Sequence, residues 1–547
     1  MKTKVFTVTP EQVRRGDTGD VREAADILRK GGLLALPTET VYGLGANGLD
    51  EEAVRRIFEA KGRPQDNPLI LHVADETWLP RYCSSVPEVA YRLAREFWPG
   101  PLTMILPRKP LVPDCTTGGL ETVGMRCPAH EVTLAVIREA DVPVAAPSAN
   151  LSGRPSCTTA EHVLRDMDGK IEGVIDGGAC AVGVESTILD LTVTPPRLLR
   201  PGGLPLEALR RVVGEVALDK ATVEKLGEGE RPKAPGMKYR HYAPKAPVTV
   251  FTGDAKKTAR AIRRRAGKTS GVLCFSEFAE TFPNACSVVP FGKSDDTAEQ
   301  ARLVFDALRR FDDTGAEEIF AQCPDAKGLG FAVANRLKKA AGFHTVALPG
   351  AGRTVIGFAG ATGAGKTSAL RAVRELGGLA LDCDAVYREM QREDETMRAA
   401  FTATFGAEIY KDGELDRPAL AARVFSSETE LGKLNEIVFD LLPKEVLRRI
   451  ENSDATLIGI DAVNLLDCTL RDFCDLTVAV TAPEEVRLAR IMKRDGLSKE
   501  AAMARIRAQR PQEYYVNLCD ESVVSDAADS AEATERMRRR IEEYLKK

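Results

Sequence analysis

Along most of the chain, short apolar runs alternate with stretches whose apolar positions recur at helical spacing, a pattern that predicts buried strands interleaved with helices. The run Leu33 to Leu36 reads as a strand, broken by Pro37-Thr-Glu-Thr-Val-Tyr-Gly-Leu-Gly45 into a polar, glycine-flanked turn. Glu52 to Lys61 follows as a short helix with Val54, Ile57 and Phe58 on one face. Leu69 to Val73 is the next strand, with His72 inside it, and Leu102 to Leu106, Glu121 to Arg126 and Val142 to Ser148 repeat the theme of apolar segments ending in polar loops. Further on, strands at Val248 to Phe251 and Gly271 to Phe275 alternate with helices at Ala255 to Arg265, Thr297 to Phe311 and Gly330 to Ala341, and Gly328 to Arg336 reads as a turn and helix start. From Val355 the order is strand, glycine loop, then a helix with Leu370, Val373 and Leu376 on one face that stops at Gly377-Gly378. Strands at Leu379, Thr456 to Ile460 and Leu476 to Val480, and a helix, hinge and helix over Arg487 to Arg510, complete it.

The predicted class is therefore α/β throughout, in three domains with a linker: residues 1–234, a linker at 235–247, a small Rossmann-like α/β domain at 248–349, and a P-loop domain with a parallel sheet at 353–547. A length of 547 residues allows each part its own core. Twelve cysteines with no C-x-x-C pair and five scattered histidines indicate reduced thiols rather than a disulfide framework or a structural metal. The N-terminus has no signal-peptide core and no apolar run reaches a membrane span, so a cytoplasmic protein with no membrane partner is expected. A net charge of −4 argues against a direct nucleic-acid surface, and the basic runs Arg263 to Arg265 and Arg538 to Arg540 read as solvated helix faces.

The clearest chemistry lies in Gly360-Ala-Thr-Gly-Ala-Gly-Lys-Thr367, which satisfies the P-loop pattern between a strand and a helix. Backbone N–H groups of Gly360, Ala361, Thr362, Gly363, Ala364 and Gly365 form a nest for phosphate oxygens, Lys366 reaches the outer phosphates, and the Thr367 hydroxyl can sit on Mg²⁺. Asp382 and Asp384 end the following strand at the carboxyl edge where parallel sheets bind ligands. Asp384 can cap a helix whose first turns carry Arg388, which leaves Asp382 over. Asp461 ends another strand as a Mg²⁺-linked carboxylate.

The first third has no such single motif. It offers cations at Lys61, Arg63 and Arg126 with hydroxyls and amides at Thr40, Ser148, Asn150 and Ser186, the set that a polyphosphate and a small polar molecule would need. The proline-rich segment Pro235 to Pro247 is a linker, but Met237, Tyr239, Arg240, His241 and Tyr242 give it more chemistry than a spacer uses.

Pro37-Thr-Glu-Thr-Val-Tyr-Gly-Leu-Gly, Lys61-Gly-Arg-Pro, Thr122-Val-Gly-Met-Arg-Cys-Pro128, Ala146-Pro-Ser-Ala-Asn-Leu-Ser-Gly and Glu185-Ser-Thr-Ile, in that order, closely resemble threonylcarbamoyl-AMP synthases. Arg197-Leu-Leu-Arg-Pro-Gly-Gly203 and Pro235 to Pro244 extend the resemblance to the two-domain form, over about the first 350 residues. It implies a twisted open α/β domain with a polar cleft that makes threonylcarbamoyl-adenylate from L-threonine, bicarbonate or CO₂, and ATP, and passes this product to a tRNA-modifying transferase complex. Matched motif to motif, Thr40, His72, Arg126, Ala146 and Ser186 line the threonine pocket, with Arg126 on its carboxylate. Arg63, Asn67, Thr122, Ser148, Ser156, Arg200 and Tyr239 contact ATP, Lys61 and Arg63 neutralise its phosphates, and the linker closes as a lid.

Residues 353 to about 525 resemble dephospho-CoA kinases through the P-loop, Asp382-Cys-Asp384 with Arg388, Gly413-Glu-Leu-Asp-Arg417, Leu434-Asn435, Arg490-Ile-Met-Lys-Arg-Asp-Gly-Leu-Ser and Ala504-Arg-Ile-Arg-Ala-Gln509. That resemblance implies ATP-dependent phosphorylation of the 3′-hydroxyl of dephospho-CoA, with Asp384 as base and Arg490, Arg494 and Arg505 in a lid. The chain departs from the family at Phe439-Asp440 and at Ala462-Val-Asn464, which bear on the acceptor pocket. Two alternatives stand beside the bifunctional reading. One is a synthase with a degenerate or differently specific kinase; the other is a nucleotide-switched RNA-binding protein, weakened by the absence of N-K-x-D.

Overall fold

The computed structural model describes residues 2–222, 235, 241–411, 413–424, 426–527 and 530–546. They form two compact units, residues 1–255 with 262–346 and residues 256–261 with 347–547. Met237, Tyr239 and Arg240 of the linker lie outside the described residues.

In the first unit the described strands build an eleven-stranded mixed sheet. Its middle runs Gly43–Asn47, Val144–Ala145, Ile70–His72, Thr122–Arg126, Leu102–Pro107 and Thr187–Asp190. These strands are short and buried on both faces, so they read as unbroken apolar runs rather than as alternation. Helices Gly19–Arg29, Glu51–Lys61 and Glu131–Ala140 cover the sheet with stripes such as Val21, Ala24, Ala25 and Leu28. Each large side chain so enclosed contributes roughly 1.5–3 kcal/mol before entropy is counted.

Two local features set the site. The helix Glu51–Lys61 starts on Asp50, whose carboxylate accepts from the N–H groups of Glu52 and Ala53, and stops at Gly62 with φ 60°, so Lys61 is its last residue. The stretch expected to be only a turn is a hairpin. Leu34–Leu36 pairs antiparallel with Gly43–Asn47, because glycine at 43 and 45 lets the Ala146 and Val144 side chains approach to 3.1 and 2.8 Å of where a Cβ would stand.

Residues 248–346 add a five-stranded sheet in the order Ser287–Pro290, Ser270–Cys274, Glu318–Gln322, Val248–Thr252 and Thr345–Ala347, with helices Thr297–Arg310 and Leu329–Ala340. This part packs intimately on residues 1–222. A Cβ on Gly183 would overlap the backbone of Ala301 and Arg302, and the fully enclosed Asp166 carboxylate accepts from Arg309 at 2.8 Å and Arg154 at 3.0 Å.

The second unit has a parallel sheet in the order Leu379–Asp382, Leu457–Asp461, Thr354–Ala359, Leu476–Thr481 and Glu521–Val524. Strand order reverses at Thr354–Ala359, so the loop after it opens where doubly wound sheets bind ligands. The helix Lys366–Glu375 continues from that loop and packs through Ala369, Leu370 and Val373 against Met537 and Ile541 of the C-terminal helix Ser530–Leu545. One expectation is corrected. Asp382, not Asp384, caps the helix Cys383–Glu393, accepting from the N–H groups of Asp384 and Ala385 at 3.0 and 3.2 Å. Among the described residues no helix is long and apolar enough to cross a membrane.

Removing the buried carboxylate leaves Arg309 enclosed and unpaired, so Asp166→Ala should destabilise the first unit by about 3–5 kcal/mol. Urea unfolding followed by far-UV circular dichroism checks this. A loss below about 1 kcal/mol would show that residues 248–346 are not held by this pair.

Candidate active sites

The first unit contains an open cleft enclosing about 620 Å³ of empty space. Of the residues picked from sequence, Lys61, Arg63, His72 and Arg126 line it, as do Ala146, Ser148, Asn150, Ser186 and Arg200. Three more stand directly behind that lining. Thr40 accepts from Arg126 Nη2 at 2.9 Å, Ser156 donates to Glu185 at 2.8 Å, and the Asn67 carbonyl accepts from Arg63 Nη2 at 3.3 Å. The Asn67 side-chain oxygen is buried without a partner. Thr122 sits at the opposite end of its strand from Arg126 and is not among the residues lining this space, and Tyr239 lies outside the described residues.

The cations are held by carbonyls rather than by acids. Lys61 Nζ donates to the Ser148 carbonyl at 2.5 Å and to that of Asn150. Arg63 Nη2 donates to the Pro68 carbonyl at 3.2 Å. Arg200 donates to the Ser186 carbonyl at 3.0 Å and to the Pro235 carbonyl at 3.3 Å. Among the described residues none of these three has a carboxylate within 4.0 Å, the distance that marks an ion pair. Burial, with Arg63 next to it, brings the Lys61 ammonium down to about 7, and burial brings Arg63 down to about 10. Such a cluster is electrostatically incomplete and favours a polyanion.

Arg126 differs, because it is paired with Glu39 at 2.8 Å. In the parallel ladder it lies opposite His72, which burial and then Arg126 hold down to about 3, so the imidazole is neutral. This half of the cleft combines a fixed guanidinium, hydroxyls and a neutral ring, a set suited to a small zwitterion.

Sequence reasoning missed three contributors here, Glu39, Glu185 and Arg336. Glu39 and Glu185 lie inside motifs quoted for their neighbours but carry the wrong sign for an anion site. His241 and Tyr242, singled out in the linker from sequence, also line the cleft, Tyr242 in a left-handed conformation with φ 65°. Arg336 donates to Glu185 at 2.7 Å from residues that read only as a helix start.

In the second unit Gly363 and Gly365 have φ of 80° and 107°, and a Cβ on Gly360 would overlap the Val480 carbonyl, which explains the glycines of the loop. Lys366 Nζ donates to the Gly360 carbonyl at 2.8 Å and lies 3.9 Å from Asp461. Asp461 and Asp382 are ladder partners on adjacent strands. Burial pushes the Asp461 carboxyl up to about 7, with Lys366 opposing and Asp382 and Asp384 adding to the rise. Asp384 is also raised, by burial and then by Asp382. Among the described residues no three acidic, histidine or cysteine side chains are grouped closely enough to hold a metal ion by themselves.

A space of about 570 Å³ opens between Gly360, Thr362 and Lys366 on one side and Val463, Asn464, Arg510 and Tyr514 on the other. Arg490 donates to the Gly363 carbonyl at 3.2 Å, at the loop itself. Arg494 and Arg505 instead converge on Asp495, both at the surface and both paired, while Arg388 is exposed. Arg487 and Gln509 were not singled out, yet Arg487 Nε donates to the Thr362 carbonyl at 3.1 Å and Gln509 accepts from the Thr362 N–H at 2.9 Å. Gln509 already lay within a quoted motif.

Comparison with known proteins adds the following. A family model described as "Telomere recombination" matches residues 26–202, one described as "Threonylcarbamoyl-AMP synthase, C-terminal domain" matches 204–342, and one described as "Dephospho-CoA kinase" matches 354–531. The chain is 51% identical over 333 residues to a threonylcarbamoyl-AMP synthase of Pyrococcus abyssi, covering 60% of this chain and 95% of the relative. It is 45% identical over 349 residues to one from Bacillus subtilis, covering 63% of this chain and 100% of the relative. Among solved structures, Pyrococcus abyssi Sua5 complexed with L-threonine matches at 48% identity and a TM-score of 0.58, covering 63% of this chain and 100% of that one.

The low Lys61 value has a measurable consequence. At pH 8 the free ammonium is mostly deprotonated, and a triphosphate in the cleft favours the charged form, so binding should take up close to one proton, roughly 0.9 at most. Calorimetry of ATP binding to the cleft in buffers of different ionisation enthalpy measures it. Lys61→Met should remove the uptake; equal uptake in the variant would place the titrating group elsewhere.

Proposed function

The chain belongs to the threonylcarbamoyl-AMP synthase family and carries a C-terminal dephospho-CoA kinase domain, and from that premise we propose a bifunctional enzyme with two separate ATP sites. Both parts are transferase domains. The first makes L-threonylcarbamoyladenylate from L-threonine, bicarbonate or CO₂, and ATP, for tRNA modification. The observation that carries this reading is the set of three cleft cations, buried Lys61 and Arg200 with half-buried Arg63, none with a carboxylate within ion-pair distance among the described residues, beside Arg126.

In this reading Arg126, steadied by Glu39, takes the threonine carboxylate, and Thr40 and neutral His72 shape the rest of that pocket. The threonine carbamate oxygen attacks the α-phosphorus, the new O–P bond forms as the bond to the bridging oxygen breaks, and pyrophosphate leaves with the negative charge. Lys61, Arg63 and Arg200 stabilise that charge as it develops. Asn67, Thr122, Ser148, Ser156 and Tyr239 are assigned to ATP by family resemblance. The segment 235–247 closes as a lid, a role supported by the Pro235 carbonyl on Arg200 and by His241 in the cleft lining. We assign residues 1–234 to the catalytic domain, 248–349 to the domain behind it and 353–547 to the kinase. The product passes to a tRNA-modifying transferase complex in the cytoplasm.

The kinase domain phosphorylates the 3′-hydroxyl of dephospho-CoA. Asp384 accepts the hydroxyl proton, a role supported by its raised pKa and by its release from capping, which Asp382 performs. Lys366 and the loop N–H groups hold the phosphates, with Arg490 alongside. Thr367 and Asp461 would hold Mg²⁺, which when bound neutralises the phosphate charge. A second reading, a kinase with a different hydroxyl acceptor, is favoured by one observation: Val463 and Asn464, where the sequence departs from the family, face the P-loop across the same space.

Pyrophosphate release from ATP should require threonine and bicarbonate together, while ADP should form from ATP and dephospho-CoA. Lys366→Ala should abolish ADP formation, by about 100-fold or more, and leave pyrophosphate release within about twofold. Loss of both activities in a folded variant would mean that the two sites are not separate. No pyrophosphate release from the unaltered chain would favour a nucleotide-switched protein.

Arg126→Ala removes a buried charge-assisted contact costing about 2–4 kcal/mol, so the threonine requirement should rise about 30- to 1000-fold with a much smaller change for ATP. Initial rates at varied threonine and at varied ATP separate the two. An equal effect on both substrates would move Arg126 to the nucleotide.

A further inference from the structure

The helix Leu329–Ala340 lies in a part of the chain whose sequence shows neither phosphate loop nor acid/base set, yet it carries Arg336, the largest fully enclosed side chain among the described residues. Arg336 Nε donates to Glu185 Oε2 at 2.7 Å, Nη1 donates to the Pro201 carbonyl at 2.8 Å, and the guanidinium carbon lies 5.5 Å from the centre of the Tyr242 ring. Glu185 in turn lines the cleft. Its Oε1 accepts from the Ser156 hydroxyl at 2.8 Å, and the adjoining Ser186 carbonyl holds Arg200 at 3.0 Å. A carboxylate in this place is useful as an organiser of Ser156 and Arg200, but bare it would repel the triphosphate that the neighbouring cations attract.

We propose that Arg336 is a positioning residue for nucleotide binding in the first unit: delivered from residues 248–346, it neutralises Glu185 so that this carboxylate can order Ser156 and Arg200 without repelling ATP. The inference rests on the synthase reading above and gives the second half of that unit a role in nucleotide binding.

The charged and titratable groups around Glu185 are Arg336, Arg200, Tyr242, Lys339 and His241. Burial pushes Glu185 up, but Arg336 and then Arg200 more than offset it and hold the carboxyl at about 2. His241 stays neutral, since burial brings it down to about 3. Without Arg336 the largest opposing influence is gone, and Glu185 should titrate nearer neutrality.

The test uses the full chain and steady-state pyrophosphate release. Arg336→Gln should raise KM for ATP about 10- to 100-fold, with kcat and KM for threonine within about threefold. It should also give a pH profile whose KM for ATP improves toward acid more steeply than in the unaltered chain, where Lys61 alone titrates in that range, and Glu185→Gln in the same chain should remove the added steepness. Arg336→Gln with Glu185→Gln should recover most of the loss, and Arg336→Lys should stay within about tenfold. An unchanged KM for ATP in Arg336→Gln, or a double variant no better than the single one, overturns the proposal. Should Arg336→Gln fail to fold, as read by loss of threonine binding in calorimetry, the double variant decides. It leaves no unpaired charge, so a KM for ATP within about tenfold of the unaltered chain supports the proposal and a larger loss overturns it. Absence of pyrophosphate release from the unaltered chain removes the synthase reading and this inference with it.

Discussion

Buried like charges are the constraint on which the first unit depends. Lys61 and Arg200 are buried and Arg63 half-buried around one cleft, and their hydrogen bonds go mainly to carbonyls rather than to carboxylates, an arrangement that costs several kcal/mol for a buried ion unless something completes it. The fold holds them in place by local means. A helix capped at Asp50 and stopped at Gly62 ends on Lys61, a tight loop fixes Arg63, and the strand Arg197–Arg200 ends on Arg200. A polyanion would supply the missing charge, so the cost of burying these cations together becomes part of its affinity.

The two carboxylates in that cleft are paired rather than free. Glu39 steadies Arg126, and Glu185 organises Ser156 while Arg336 cancels its charge. Register does the remaining work. Because His72 is buried and is the ladder partner of Arg126, burial first and the guanidinium second keep the imidazole uncharged, so the neutral ring would not compete with Arg126 for a carboxylate.

Much of this was legible in the sequence wherever the signal was local. The helices Ala255–Arg265 and Lys366–Glu375, the strand Leu102–Pro107 and the P-loop all lie where periodicity and glycine placement put them. The strand Gly43–Asn47 was not legible, because its glycines make room for Ala146 and Val144, residues about a hundred positions away that no local pattern shows. The cap of Cys383–Glu393 was assigned two residues too late, since Asp382 and Asp384 are equally good capping residues and only the backbone decides between them. Arg336 was invisible for a different reason: its partner is 151 positions away, and an arginine on a helix ordinarily reads as solvated.

The kinase domain solves the phosphate problem with the opposite sign of side chain. Its positive field comes from loop N–H groups and Lys366, while burial, with Asp382 and Asp384 adding to it, pushes Asp461 up to about 7. The cleft of the first unit gathers enough positive charge, with burial, to bring Lys61 down to about 7. Each site therefore holds one group that titrates near neutrality because its own ligand is needed to complete it. The two respond to pH in opposite directions. As pH falls through 7, Lys61 gains the charge that attracts a triphosphate, while Asp461 loses the charge that would hold a cation. Mild acidification thus favours nucleotide capture at the first site and weakens cation capture at the second, a difference that follows from which sign of charge each fold has chosen to bury.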